Sequence, residues 1–328
     1  ALGSAGQELA LDVPAEATVG GVVATGTTGP RRLRYGSPRD LLLGLTVVRA
    51  DGVIARSGGK VVKNVAGYDI GKLFAGSHGT LGLITEATFR LHPQPAAVAW
   101  VTAEFGVAGP ADESVARASA AVASAAGSAL VPSAVELDWP GGSPQAPRPL
   151  RAGVLLEGTD SGVAERAGRM SDLLTAAGGG PVSVSDAAPV RWGTLPEGAT
   201  IVRVSFWVSA LESVLGALVT AGESAGVRAA VTGPAGAGAL YACLDPDTPV
   251  PAVARFVAAL REQVAGLSAG APRGSVAVLA GPPPVLAAAG AYRDVPGAAL
   301  MRAVRDQFDP EQRMFPGRFT FAGSTGGN

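Results

Sequence analysis

Between residues 97 and 280 one order of elements, strand, helix, strand, strand, helix, strand, can be read twice in succession, and this duplication constrains the fold more than any other feature. The first set places strands near 97–105, 133–138, 151–158 and 181–185 around helices near 112–126 and 161–177. The second places strands near 200–208, 227–232, 238–244 and 275–280 around helices near 210–225 and 250–265. Ser209 followed by Glu212 reads as a capping box that opens one helix, and Thr248-Pro249 with Gly266 brackets another. A β-α-β-β-α-β unit is the ferredoxin-like pattern, an antiparallel sheet with its helices on one face. Residues 96–298 therefore read as an α+β region of two such halves.

Residues 1–95 have a different texture, rich in glycine motifs where the following part is rich in alanine helices. The run LLLGLTVVRADGVIARS, 41–57, reads as two apolar strands joined at Asp51-Gly52, a dipeptide that accepts the positive φ of a tight hairpin. Residues 83–91 alternate like a further strand, Gly67 to Phe74 hold a short helix with Asp69 near its start, and Gly76 to Gly82 form a loop. The tail 299–328 reads as a short helix, a stop at Phe308-Asp309-Pro310, and then Phe315-Pro316-Gly317-Arg318.

Three glycine-bearing stretches lie in the first part: Thr18-Val19-Gly20-Gly21, Thr25-Gly26-Thr27-Thr28-Gly29-Pro30 and Gly76-Ser77-His78-Gly79-Thr80-Leu81-Gly82. A phosphate cradle needs backbone N–H groups at close range, and clustered glycine beside threonine hydroxyls allows that approach. Ordinary turns in a glycine-rich protein are the other reading of each stretch. No Gly-Lys-Thr/Ser P-loop and no G-x-G-x-x-G opening a βαβ unit is present, which sets nicotinamide and ATP motifs aside.

All three lysines (Lys60, Lys63, Lys72), the internal asparagine Asn64 and both histidines (His78, His92) fall between residues 60 and 92, in a chain whose other positive charges are all arginine. Lysine and arginine are not equivalent at a shaped site, so the cluster reads as a polar site or as a solvated face. Two histidines and one cysteine exclude a histidine- or cysteine-based metal centre. His92 reads as a strand-end residue, Cys243 as core, and His78 as either a turn or a site residue. Arg31-Arg32-Leu33-Arg34 reads as a phosphate or acidic-substrate contact or as an exposed charged turn. With 26 basic and 27 acidic residues the net charge is −1, so no overall field favours nucleic acid, and Trp139, Trp192 and Trp207 are too scattered to form a stacking platform. The lone cysteine fits a reducing compartment, the uncharged runs are broken by Ser, Gly and Pro, and the opening residues lack an export signal, so the expected location is cytoplasmic.

Taken in order, the segment from ATVGGVVATGTTG through KNVAGYDIGKLFAGSHGTLGLITEATFRLHP strongly resembles the second half of the FAD-binding domain of the vanillyl-alcohol oxidase and cresol methylhydroxylase (PCMH-type) superfamily, with the E-type subunits of bacterial glycolate oxidase most similar. The terminal FDPEQRMFPGRF resembles the family's closing segment. The resemblance implies an α+β fold: part of a PCMH-type FAD-binding domain over 1–95, a cap domain with a large antiparallel sheet over 96–298, and a segment 299–328 returning to the FAD domain. It implies noncovalent FAD, because Thr28 matches a position that in some relatives is a flavin-linked histidine. By motif, Thr18, Gly20 and Gly21 would open a helix against the flavin and its diphosphate, while Ala24, Thr25, Thr28 and Gly29 would line the ring or ribityl side. Tyr35 and Gly36 would shape the same wall, and Gly79, Gly82, Leu83 and Ile84 would offer backbone contacts. Lys63, Asn64, Tyr68, Asp69 and His78 would lie on the substrate side or brace it.

The family's diphosphate-gripping loop precedes this region, and only residues 1–17 stand before Thr18, so that loop is expected to lie outside this sequence. No histidine follows residue 92, so the histidine-rich cap motif of D-type subunits is absent and no catalytic base is visible. The implied function is an FAD-binding subunit of a glycolate-oxidase-like complex that oxidises a small 2-hydroxy acid to a 2-oxo acid. The implied partners are a D-type FAD subunit and an iron–sulfur subunit, with peripheral attachment to the inner membrane through them as a variant of the cytoplasmic location. The alternatives are a noncatalytic scaffold that binds no FAD on its own and, more remotely, an independent oxidase.

Overall fold

The computed structural model describes residues 2–61, 68–106, 111–140, 149–195, 200–267, 274–291 and 297–318. The chain divides into two compact units, one of Ala1–Gln94 with Gly297–Asn328 and one of Pro95–Pro296.

In the first unit the elements run β1 (Gln7–Glu8), α1 (Val19–Thr25), α2 (Arg32–Tyr35), α3 (Pro38–Leu41), β2 (Leu42–Val48), β3 (Ile54–Gly58), α4 (Gly71–Phe74), β4 (Leu83–Phe89) and β5 (His92–Pro93). A three-stranded antiparallel sheet, order β3-β2-β4, forms because the β2–β3 hairpin turns at Asp51-Gly52, where Gly52 has φ 82° and the Asp51 carboxylate accepts from the Val53 amide at 3.1 Å. One face of this sheet carries Leu45, Val47, Ala55, Ile84 and Ala87, which pack with Val23, Phe74 and Leu81. The C-terminal helix Ala298–Phe308 closes that core with Val304 and Phe308, the latter edge-on to Phe74 at 5.6 Å. The short helix after residue 67 begins at Gly71 rather than beside Asp69, and Asp69 instead pairs with Lys72 at 3.0 Å.

The second unit runs β6 (Ala97–Phe105), α5 (Ala111–Ala126), β7 (Ala134–Trp139), β8 (Leu150–Gly158), α6 (Asp160–Ala176), β9 (Val182–Ser185), β10 (Thr200–Ser205), α7 (Leu211–Ala225), β11 (Ala229–Gly233), β12 (Ala239–Leu244), α8 (Val250–Gly266), β13 (Ser275–Ala280) and α9 (Pro283–Ala289). Both expected β-α-β-β-α-β halves are present, and their strands join in one antiparallel sheet of eight, order β13-β10-β12-β11-β7-β8-β6-β9. Each half has the order fourth-first-third-second, and the halves meet through three registered pairs, Val231↔Trp139, Thr232↔Asp138 and Gly233↔Leu137. The alternation along each strand sends Val101, Val135, Val154, Val202 and Leu240 into a core with Val122, Met170, Leu215 and Phe256 of the helices, all of them buried. The opposite, helix-free face carries most of the sheet's polar side chains.

Two details depart from expectation. The strand beginning at Thr200 ends at Ser205, and Ser209 lies inside a short 3₁₀ turn, Val208–Ala210, so it cannot cap α7, whose N-cap is Ala210 without a side-chain bond. The turn winds the chain directly into the helix and leaves no extended N-cap position for the serine. Cys243 is buried in β12, and burial pushes its thiol up to about 11, which leaves it unreactive at neutral pH.

Burial raises the pKa of Asp138 on β7, with Arg191 and Arg151 offsetting only part of the shift. Between the ordinary carboxylate range and that raised value the folded chain holds a proton that the unfolded chain has released. Stability therefore falls as pH climbs through this window. Asp138→Asn is expected to remove that decline, so urea midpoints of the two proteins recorded across pH should converge at acid pH and separate in favour of the variant towards neutrality.

Candidate flavin site

The glycine stretches converge in the first unit. Thr18, extended at φ −80° and ψ 147°, caps α1 by accepting from the Gly21 amide at 3.2 Å, and Val22 and Val23 anchor the helix in the core. Thr25 returns its hydroxyl to the Gly21 carbonyl at 2.8 Å and lies 2.6 Å from the Thr27 hydroxyl, so both face the same end of the helix. The Gly76–Gly82 loop is tied to that end from the other side: the Gly76 amide donates to the Val23 carbonyl at 3.0 Å and the His78 amide to the Ala24 carbonyl at 2.7 Å. At the start of the helix, a Cβ on Gly20 would lie 3.9 Å from the Ile84 carbonyl. Thr18, Gly21, Ala24 and Thr25 thus belong to one hydrogen-bonded neighbourhood, with Gly20 beside Ile84 at its start and Gly79 in the loop tied to its end.

This neighbourhood keeps backbone bare. Gly76 sits at φ 82° with nothing within 4 Å of where its Cβ would stand, and Gly21 is exposed on the first turn of α1. The first amides of a helix have no intrahelical acceptor; Thr18 takes that of Gly21, and the amides before it are the donors left to the open side. Bare backbone donors beside two threonine hydroxyls suit the phosphate and ribityl oxygens of a dinucleotide, and the residues present fit FAD on that ground.

Other members of the expected set have reasons internal to the fold. A Cβ on Gly29 would stand 2.4 Å from Asp12 Cβ and 2.8 Å from the Asp12 carbonyl oxygen. Gly36, at φ 84°, would meet Asp40 Cβ at 2.7 Å, where the Asp40 carboxylate accepts from both the amide and the hydroxyl of Ser37 at 2.7 Å. Gly82 is pressed between the Val48 carbonyl, 3.0 Å from its Cβ position, and Phe74 at 3.1 Å. Leu83 is exposed at the start of β4. Tyr35 stands edge-on to His92 at 4.8 Å, with Arg31 and Arg34 at 5.7 and 5.5 Å from its ring. Tyr68 is 90% exposed, and Lys63 and Asn64 lie outside the described residues.

The arginine cluster corrects the sequence reading in part. Arg31 is neither an exposed turn residue nor open to a ligand: its amide and Nε both donate to Asp12 at 2.7 Å, and its Nη1 meets the Glu8 carboxylate at 3.0 Å. Burial alone would lower its pKa, but Asp12 and Glu8 outweigh that and raise it. Arg32 reaches the Thr28 hydroxyl at 3.4 Å. Glu8 and Asp12 were not expected at the site, because their role depends on an approach across 19 to 23 residues that no local motif records.

His78 takes φ 53° in the glycine loop. Burial lowers its pKa and the Arg318 guanidinium lowers it further, so it is neutral at neutral pH. The C-terminal segment reaches the same loop. Buried Asp309 accepts from the Arg313 and Met314 amides at 2.8 and 2.6 Å, and Phe315 lies 3.4 Å from the Cβ position of Gly79. Among the described residues no group of three His, Cys, Asp or Glu side chains could hold a metal, and no helix is long and apolar enough to cross a membrane.

Comparison with known proteins agrees with this geometry. The FAD binding domain family matches residues 1–58. The chain is similar to the glycolate oxidase subunit GlcE of Escherichia coli (strain K12), 49% identical over 100 residues, which is 30% of this chain and 29% of that protein. It is similar to the glycolate oxidase subunit GlcD of Bacillus subtilis (strain 168), 53% identical over 78 residues, 24% of this chain and 17% of that protein. The D-lactate dehydrogenase of Archaeoglobus fulgidus is likewise 53% identical over 78 residues, 24% of this chain and 18% of that protein. These matches span less than a third of each relative's own length. In fold, the chain is similar to p-cresol methylhydroxylase with substrate bound, TM-score 0.63 at 16% identity, over 88% of this chain and 66% of that one. An alkyldihydroxyacetonephosphate synthase gives TM-score 0.61 at 16% identity, over 97% of this chain and 62% of that one. Residues 1–58 therefore carry the FAD binding domain family's sequence, on a chain with the fold of the vanillyl-alcohol-oxidase and p-cresol-methylhydroxylase flavoproteins.

Proposed function

We propose that this chain is an FAD-binding subunit of a glycolate-oxidase-like complex, which oxidises a small 2-hydroxy acid to a 2-oxo acid and passes the electrons to a partner subunit. One observation carries the reading: the start of α1 beside Ile84 and the end of α1 bound to the Gly76–Gly82 loop gather bare backbone and threonine hydroxyls in one place. The likeness over 100 residues to a glycolate oxidase subunit supports the substrate class and the partnership. When bound, FAD supplies the acceptor for the two electrons of alcohol oxidation. Gly20 would present its α1 amide to phosphate oxygens, Gly21, whose amide is held by Thr18, would leave them room, and Thr25 and Thr27 would hold ribityl hydroxyls. The Gly76 and Gly79 backbone would lie against the cofactor with no side chain between. Neutral His78 holds no charge that would repel or attract the flavin, and its amide fixes the loop to α1.

The test is the visible absorption spectrum of the purified chain after FAD is added and the excess removed. A yellow protein with a structured flavin band is expected, and a colourless one sinks the reading. Gly20→Ala sharpens it. The new methyl meets nothing closer than the Ile84 carbonyl at 3.9 Å, so the fold is unaffected or gains up to about 1 kcal/mol in helix propensity. FAD affinity is nonetheless expected to fall about tenfold, because close backbone approach is what glycine supplies there. In the assembled complex, glycolate-dependent dye reduction should disappear when this chain is left out.

A second reading, a scaffold subunit that holds no FAD on its own, draws on Gly29 and Gly36, whose lack of a side chain is already required by Asp12 and Asp40. Absence of FAD uptake together with retained assembly of the complex would select it.

A further inference from the structure

The two outer strands of the three-stranded sheet are finished differently. β4 pairs with β2 through two register shifts, and α1 lies against it, with the Cβ position of Gly20 3.9 Å from the Ile84 carbonyl. β3 pairs with β2 in unbroken register from Val48↔Ile54 to Gly44↔Gly58, and among the described residues no strand pairs with its outer side. The Arg49 amide donates to the Val53 carbonyl at 3.0 Å and the Gly59 amide to the Leu43 carbonyl at 3.1 Å. Bonded pairs alternate along an antiparallel ladder, so Val53, Ala55, Ser57 and Gly59 turn their backbone groups to β2, while Ile54 and Arg56 turn theirs outward. Among the described residues neither Ile54 nor Arg56 makes a further backbone bond. The edge is a regular, unpaired template for one more strand.

The side chains along this template are apolar at one end and of a single charge at the other. Val53 and Ile54 are exposed at the hairpin end, Ile54 at 66%. Arg56 and Lys60 are exposed along the other, and neither makes a hydrogen bond or ion pair among the described residues. Both line an open depression of about 310 Å³ with Gly44, Gly58 and Gly59, whose lack of side chains leaves the space. The acids of the same sheet are engaged elsewhere: Glu86, two strands away on β4, accepts from Thr46 at 3.2 Å, and Asp51 pairs with Arg49 at 2.8 Å. Charge on an edge strand blunts unwanted pairing, and here it does so selectively. A second copy of β3 would bring another Arg56 and Lys60 against the first, and like charges across a strand pair are destabilising. A strand that carries carboxylates meets the opposite case.

We propose that the outer edge of β3 takes an additional antiparallel strand from a partner whose extended segment is acidic. Main-chain bonds to Ile54 and Arg56 supply the hold, and alternate side chains supply the selectivity. On the outer face an apolar side chain of the partner covers Ile54, and carboxylates meet Arg56 and Lys60. On the other face the added strand passes beside Ala55 and Ser57, both partly buried, where small side chains fit. The edge belongs to the sheet alone, so the proposal does not rest on the flavin reading.

The experiment is fluorescence anisotropy of the labelled peptide TETETVT, blocked at both ends, titrated with the whole chain without FAD. Run antiparallel to β3, its valine stands opposite Ile54 and its glutamates opposite Arg56 and Gly58. Saturable binding is expected, together with slowed hydrogen exchange at the Ile54 and Arg56 amides. The peptide with glutamine for glutamate should bind about three- to tenfold more weakly, the worth of two exposed ion pairs. N-methylation of the valine and of the glutamate before it keeps the charge and removes the N–H groups that face β3, so affinity should fall at least about tenfold. Arg56→Glu should weaken TETETVT about tenfold and favour TKTKTVT instead. Ile54→Pro removes one outward N–H without touching the ladder to β2 and should weaken binding at least about threefold. Should Ile54→Pro unfold, Arg56→Glu decides, because its side chain is exposed. No saturable binding, equal binding of the N-methylated or glutamine peptide, or an unchanged preference in Arg56→Glu overturns the proposal. So does a dimer of the chain that protects the Ile54 and Arg56 amides without peptide, since a second copy would then hold the edge.

Discussion

Gly29→Ala is expected to destabilise the first unit by about 3 kcal/mol and to abolish FAD uptake with it, read from urea unfolding and from the flavin spectrum of the same preparation. The added methyl would stand 2.4 Å from Asp12 Cβ and 2.8 Å from the Asp12 carbonyl oxygen, and the second of these is backbone that cannot swing aside. Overpacking alone costs about 1–3 kcal/mol. Moving Asp12 also strips Arg31 of the two bonds at 2.7 Å that hold the residues after α1 in place, and leaves a half-buried guanidinium short of its counter-charge. Gly20→Ala provides the contrast, because there affinity falls while stability does not. If Gly29→Ala leaves the urea midpoint unchanged, the Asp12–Arg31 clamp does not hold the site.

Phe256→Ala should lower the stability of the second unit by about 3–5 kcal/mol. The ring is fully buried on α8, amid a core that includes Leu215 and Leu260, and its removal leaves a void that close-packed neighbours only partly fill. A shift of the denaturant midpoint without a change of slope would confirm a loss of packing alone. A loss below about 1 kcal/mol would mean that the helices can close over the gap, contrary to interior packing of this density.

How much of this was legible in the sequence follows from how local each signal is. The two β-α-β-β-α-β halves were readable because period and punctuation act over a few residues. Pro249 and Gly266 bound α8 in the structure, and Asp51-Gly52 makes the expected turn. Which strands become neighbours is set by distant pairing, so the merging of both halves at β7 and β11 was not readable. The Ser209–Glu212 pair had the spacing of a cap, but a 3₁₀ turn occupies its place. At the site, Thr18 was readable as the residue opening α1, since capping is a local matter. The reasons for Gly29 and Gly36 were not, because each depends on a carboxylate brought close by folding, as does the hold of Glu8 and Asp12 on Arg31.

The pseudo-twofold sheet has a consequence for how such a chain can change. A duplicated half supplies two versions of every position, and only one version has to go on serving the architecture. In the first half Glu104 and Arg151 still neutralise each other. The equivalent positions in the second half, Arg203 and Tyr241, carry no such opposite charges, so the same strand order is held there by the backbone ladder and the buried face. Substitutions confined to the helix-free positions of β10 and β12 should leave the fold in place, because the buried positions of the same strands, Val202, Val204, Leu240 and Ala242, carry the packing of this half.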